Sequence, residues 1–459
     1  MESMEMVRLF FGAFASFLLN PLFWLVVLLM ASQYGRVAKN EVQLFGRAKY
    51  SVAVQTRYFV LFGLAGGFLA SLLLVLLGIS LLDIGMVYVW PLAVLLLLVH
   101  PRYLCFAYAG GLVGAFSALL QLLEQIWPAI NLGILSGIAN IHIPGLLALI
   151  GILHLTESFL IAVSGHLFPS PLYLKTDRGV VGGYSLQKFW PLPLVGLMAL
   201  LVPQATAEAM SGVRMPDWWP LLASSAMPGA NETLLYLLTP VVAGLGYGDL
   251  AISTSPQQKS RRSALNLGCY SIIIIAAAFL AFYYPLFTIP AALLSPFGHE
   301  LLILLGNKQE FSGTPLFAAR KDGVKILDIF PRSPAAAAGL RSGQVILSVN
   351  GLLVSDSLTM QNVMELAKPS AELEIEGEKK KIELKFYDYK SAGIIPVPDQ
   401  FTSVYLEIKQ PRFFIKLNHG DGSGGLQLQE RLNGTEQKQP EEPSPWLEEK
   451  QPEEPSPRL

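Results

Sequence analysis

Nine apolar stretches crowd the first 306 residues, and their lengths restrict this chain more than any other feature. They fall at about 9–31, 58–82, 84–100, 103–127, 144–165, 189–203, 219–247, 264–284 and 285–306. A helix needs ~20 apolar residues to cross ~30 Å of hydrocarbon, and inside lipid every backbone polar group needs a partner within the protein. The stretches are therefore expected to be helices rather than isolated strands, with the third and sixth short and the seventh interrupted by Pro228, Gly229 and Pro240. The first run exceeds the ~7–15 residues of a signal-peptide core. Asn20-Pro21 interrupts it and no small-residue cleavage site follows, so it reads as the first span.

Lys and Arg in the short connections set the orientation. Residues 32–57 carry Arg36, Lys39, Arg47, Lys49 and Arg57; 166–188 carry Lys175, Arg178 and Lys188; 248–263 carry Lys259, Arg261 and Arg262. The alternate connections are poor in basic residues, with none across 128–143. This places the N-terminus outside and the basic loops in the cytoplasm. A crossing by 285–306 then puts whatever follows in the cytoplasm.

After residue 307 the pattern changes. Val324, Ile326 and Ile329 form a strand-like run, Ser333-Pro334 starts a turn, and Ala335–Ala338 makes a short helix closed by Gly339. Val345–Val349 is a second strand ending at Asn350-Gly351, a hairpin signal. Ser357 can start a helix to about Lys368, and strands follow at 371–376 and 380–386. Residues 392–398 and 401–417 can add edge structure. Gln-Pro-Glu-Glu-Pro-Ser-Pro occurs at 439–445 and 451–457; Pro and Glu at that density bury no core and predict a disordered tail. The fold class expected is thus a polytopic α-helical membrane protein with a small C-terminal α+β domain. Its parts are a multi-span domain over 1–306 with eight or nine segments, the α+β domain over 307–390, an extension over 391–425 and the tail over 426–459.

The run Ser333-Pro334-Ala335, Ala338-Gly339-Leu340, Gly343, Val345-Ile346 and Val349-Asn350-Gly351 resembles the core of bacterial PDZ domains. Gln344 departs from the family, which usually has Asp there. A PDZ domain binds by adding the ligand as a strand to a sheet edge. The resemblance implies a groove between the 324–330 strand and the 357–368 helix, with Gly323, Val324, Ile326, Leu358 and Val363 as peptide-binding residues. The carboxylate loop would lie near Asp322-Gly323-Val324, with Arg320 and Lys321 offsetting the acid at Asp322.

Ionisable residues inside spans mark functional candidates, here His154, Glu157, His299 and Glu300. His154 and Glu157, three apart, share a helix face and could bind a metal, relay a proton or make an interhelical hydrogen bond. His299-Glu300 invites comparison with intramembrane zinc proteases, whose chemistry needs His-Glu-x-x-His. Here the run is His299-Glu300-Leu301-Leu302-Ile303, so the second histidine is missing. Gly133-Ile134-Leu135-Ser136-Gly137 has one residue too many for a rhomboid-type Gly-x-Ser-Gly. The segment lacks the internal repeat of a secondary transporter. The reading is non-enzymatic, with no catalytic residue, metal or cofactor assigned. Cys105 and Cys269 read as small buried hydrophobes.

The order Asn20-Pro21-Leu22-Phe23-Trp24, Trp218-Trp219-Pro220, Gly246-Tyr247-Gly248-Asp249-Leu250-Ala251 and Pro296-Phe297-Gly298-His299-Glu300 ahead of the PDZ-like domain resembles the MinJ-type membrane proteins of Gram-positive bacteria. The resemblance implies a multi-pass protein of the bacterial cell membrane, with a cytoplasmic PDZ domain that recruits DivIVA- and MinD-like division proteins to septum or poles. Besides the lipid bilayer, its partners would be proteins; homo-oligomers are compatible with this reading. The net charge of −1 gives no indication of nucleic-acid binding.

Overall fold

The computed structural model describes residues 2–407 apart from 211–212, 214, 225–227 and 379–380. The Pro/Glu-rich tail and the second half of the 401–417 segment lie outside the described residues.

The first apolar run divides at Asn20 into α1 (Glu2–Ala15) and α2 (Pro21–Phe45). The Asn20 side chain accepts from Leu22 N, and Pro21 sits where a helix loses nothing by lacking an N–H. Helices α3 (Val52–Leu77), α4 (Met86–Val99), α5 (Phe106–Ile126), α6 (Ser136–Ala139) and α7 (Ile143–Ser164) follow. Beyond a β-rich stretch come the short α8 (Gln204–Ala209), then α9 (Pro256–Tyr283), opened by a Ser255/Gln258 capping box, and α10 (Thr288–Ser312). Among the described residues six helices are long and apolar enough to span: α2, α3, α5, α7, α9 and Pro285–Ser312; α4 is shorter.

Two of the nine expected helices are instead strands. Residues 189–203 lie in β3 (Lys188–Pro203), and most of 219–247 forms β4 (Glu232–Tyr247), paired antiparallel along their full length. The reason is local. Pro191 and Pro193 alternate with Trp190, Leu192 and Leu194, a period of two that no helix interior holds. A strand edge among apolar helices requires its outward N–H groups to be satisfied, and the outer edge of β3 meets that requirement. Phe189 N donates to Tyr34 Oη, Val195 N to Ser71 Oγ and Ala199 N to Ser80 Oγ. At Pro191 and Pro193 there is no N–H to satisfy. Their carbonyls instead lie against Gly63 and Gly67 of α3, where a Cβ would come within 2.2 Å of each oxygen. The sequence Gly63-x-x-x-Gly67-x-x-x-Ser71 is therefore the track along which α3 takes up β3. Pro240, opposite Val195, removes a donor from the other edge.

At the end of the bundle that carries the basic loops, β1 (Ser170–Thr176) and β2 (Gly179–Ser185) form a hairpin. It is extended by β5 (Leu250–Ala251) on one side and β12 (Leu406–Glu407) on the other. The C-terminal domain packs against this small sheet. Its own sheet has the order β10-β9-β7-β6-β11, with β6 Val324–Ile329, β7 Val345–Val349, β9 Ser370–Ile375, β10 Ile382–Lys385 and β11 Ile394–Pro396, and β8 (Leu352–Leu353) beside β7. Helices α11 (Pro334–Ala337), α12 (Ser357–Leu366) and α13 (Tyr389–Ala392) complete it. Ile326, Ile346, Val349, Met360, Met364 and Leu373 form its dry core. A second set of residues, Leu327, Phe330, Ile395 and Val397, faces the other way and joins the core of the membrane half through Tyr173, Tyr184 and Phe317. Tyr184 Oη donates to Leu327 O and Gly182 N to Phe317 O. Lys49, in the α2–α3 loop, pairs with Asp328, both nearly dry.

Candidate functional site

Two places hold the residues singled out from the sequence. The first is the edge of the C-terminal sheet. Strand β6 was expected to be open, and both of its edges are taken. Val324 and Lys325 pair with Ile346 and Val345 of β7, while Ile326, Asp328 and Ile329 pair with β11. Gly323, Val324 and Ile326 are buried; a Cβ on Gly323 would meet Val345 and Ile346 O. The outer strand on that side of the sheet is therefore β11, which comes from the segment after residue 390. Sequence order hid this, because the edge strand is supplied last rather than first.

The residues flanking β11 are tied to the two ends of α12: Tyr389 N, in α13, donates to Glu365 Oε1, and Ser357 N donates to Asp399 Oδ2 beyond the strand. Phe330 N donates to Gly393 O, and Val397 N to Lys325 O. By alternation, Ile394 and Pro396 turn their backbone away from β6. Tyr173 Oη already donates to Pro396 O, so the membrane half caps one end of the edge. At the other end Ala392-Gly393-Ile394 supplies an apolar-Gly-apolar loop with Gly393 left-handed at φ 83°. A Cβ there would lie 2.8 Å from Arg47 Nη2. Arg47, whose guanidinium also covers the Phe330 ring at 4.0 Å, is thus the cation beside the loop; burial lowers its pKa and Asp388 opposes that shift. Arg320 is committed elsewhere, held by Asp322 and by both Glu376 oxygens. Hydrogen bonds to these two carboxylates raise its pKa. Lys321 is exposed. Leu358 is 43% exposed and Val363 half-buried, both on α12.

The second place lies among the spans. His154 turns its ring toward Cys105 and His299 rather than to Glu157, one turn along α7. Cys105 Sγ is 3.1 Å from His154 Nε2 and 3.8 Å from His299 Nε2. Cys105 caps α5 after the turn Pro101–Leu104. His154 Nδ1 is 2.7 Å from Ile150 O, and the two imidazoles lie 5.1 Å apart between Tyr108 and Tyr270. Glu300 accepts from Tyr108 Oη at 2.5 Å and pairs with Arg102 at 3.3 Å. Ser295 Oγ donates to Ala107 O, and Tyr270 Oη to Ser295 O. These bonds join α5, α9 and α10 just above the cluster. Cys105 was read as an inert hydrophobe. The one sequence signal for it was its position directly after the helix break at His100-Pro101-Arg102.

A PDZ domain family model matches residues 326–376. Over 369 residues the chain is 26% identical to the cell division topological determinant MinJ of Bacillus subtilis (strain 168), covering 79% of this chain and 87% of that protein. Over 54 residues it is 35% identical to the putative serine protease HhoA of Synechocystis, covering 12% of this chain and 14% of that protein. No solved structure matches. The MinJ-type resemblance read from the sequence is borne out, and it extends through the membrane half. The protease match covers little more than the length of the PDZ model.

Proposed function

We propose that this protein is a non-enzymatic, membrane-anchored scaffold whose PDZ domain captures extended segments of cell-division proteins and recruits them to septum or poles. One observation carries the reading: an edge strand, β11, whose flanking residues are tied to both ends of α12, is fixed to a bundle of apolar helices at the bundle's basic end. Membrane confinement raises the effective concentration of a captured partner, so a short edge suffices for recruitment. By resemblance the partners are DivIVA- and MinD-like proteins.

The proposed groove has β11 and α12 as walls, Leu358 and Val363 on the helix side, and Arg47 rather than Arg320 beside the Gly393 loop. By resemblance the domain lies in the cytoplasm, and the charge pattern supports that reading. Arg47, Lys49, Lys175, Arg178 and Lys259 lie at the bundle end that holds it, and the loops 78–85 and 127–142 at the far end contain no Lys or Arg. The protease alternative finds little support. His299 has no partner histidine one turn on, and Glu300 accepts from Tyr108 Oη and pairs with Arg102.

The test is capture of DivIVA- and MinD-like proteins by the full chain in membranes. Leu358→Arg, at an exposed site, abolishes capture, whereas Glu300→Gln preserves it. Capture that ignores Leu358→Arg, or an exterior signal from a reporter fused after residue 407, overturns the reading.

A further inference from the structure

The cluster of Cys105, His154 and His299 is not used by peptide capture, and its geometry is that of a ligand set. We propose that these three residues bind one zinc ion between the helices, and that the ion clasps the tip of the α4–α5 pair to α7 and α10. The inference does not depend on the scaffold reading.

The three donor atoms lie within 4.8 Å of one another. In a tetrahedral site with Zn–S about 2.3 Å and Zn–N about 2.0 Å, sulfur and nitrogen ligands are about 3.5 Å apart. The two Sγ···Nε2 separations here, 3.1 and 3.8 Å, bracket that edge. His154 is already set for the task. Its Nδ1–H donates to Ile150 O, which fixes the tautomer and leaves the Nε2 lone pair aimed at the sulfur, as in the outer shell of metal-bound histidines. Cys105 sits at the N-terminus of the 21-residue helix α5, its Sγ facing both imidazoles.

The donor set narrows the ion: one thiolate and two imidazoles suit zinc or copper, whereas magnesium, calcium and manganese want carboxylate and carbonyl oxygen. The proposal commits to zinc, and copper in the purified protein in place of zinc overturns it. Glu300, next to His299 in sequence, is turned to Tyr108 and Arg102. The ligands come from three segments far apart in sequence, so a bound ion cross-links elements that otherwise meet through apolar contact and a few hydrogen bonds. Three protein ligands leave a fourth position for water or another small ligand.

The full chain, purified in detergent without chelator, should carry about one zinc per chain. Cys105→Ala, His154→Ala and His299→Ala should each lower occupancy roughly tenfold or more, while Cys269→Ser leaves it unchanged. Cobalt added to chelator-stripped protein should give a thiolate-to-metal charge-transfer band that Cys105→Ser removes. Should the alanine variants fail to fold, zinc-edge X-ray absorption of the wild type decides alone: one sulfur and at least two nitrogens in the shell support the site. An all-oxygen shell overturns it, as does wild-type protein that takes up neither zinc nor cobalt, or a cobalt band lost with Cys269→Ser instead.

Discussion

Replacing Lys49 with Met should loosen the docking of the PDZ domain on the membrane half, and the size of the effect follows from the surroundings of Asp328. The side chains of Lys49 and Asp328 are only 5% and 11% exposed. Among the described residues, the Asp328 carboxylate accepts from Lys49 and from Ile329 N. Burial raises the pKa of Asp328, and Lys49 opposes that rise. Without the ammonium, a nearly dry carboxylate is left uncompensated, a change that costs about 3–5 kcal/mol for buried pairs. Removing both charges, as in Lys49→Met with Asp328→Leu, should restore most of the loss, because two apolar side chains of similar volume need no partner. The assay is a double-mutant cycle on the full chain in detergent, read by denaturant midpoint and by amide exchange in β6 and β11. The pH dependence has a definite sign. A carboxyl whose folded pKa lies above its unfolded value is stabilising when protonated, so stability falls as pH rises from the ordinary Asp range through the raised value. The Lys49→Met deficit should therefore be full at neutral pH and shrink on acidification, as Asp328 takes up its proton. A coupling energy below about 0.5 kcal/mol, or a deficit that grows in acid, would refute the reasoning.

Three further outcomes follow from named contacts. Gly67→Val should prevent α3 from seating on β3, since its Cβ would stand 2.2 Å from the fixed carbonyl of Pro193; Gly12→Ala, with nothing within 4 Å, is the tolerated control, and the yield of monodisperse protein measures both. Ser71→Ala should cost about 1–3 kcal/mol in thermal or denaturant unfolding, because it strips the partner from the buried N–H of Val195. Asp356→Ala should cost the PDZ domain about 1 kcal/mol by uncapping α12. The backbone N–H of Thr359, followed by Ser355 and Thr359 hydroxyls, lowers the Asp356 pKa, so the wild-type advantage in denaturation midpoint should hold above the ordinary Asp range and fade as pH falls through the lowered value.

Local chemistry alone was enough for much of this protein. The apolar runs free of alternating or clustered prolines read as membrane-length helices, Asn20-Pro21 starts one, and the succession from Ser333-Pro334 to Asn350-Gly351 specifies strand, helix and hairpin through the conformations those residues permit. Those features were legible because each depends on neighbours within a few positions. The β3–β4 hairpin was not, although Pro191 and Pro193 gave its period. An apolar run with strand edges is stable only if another element satisfies those edges, and the satisfying groups, Tyr34, Ser71 and Ser80 with Gly63 and Gly67, lie more than 100 residues away. The same holds for the proposed peptide edge, where the strand that closes β6 arrives after residue 390, and for Cys105, whose neighbours are two histidines brought by other helices. Propensity and spacing are properties of the chain. Which edge stays open and which donors converge are decided by long-range packing, and only the folded protein carries that information.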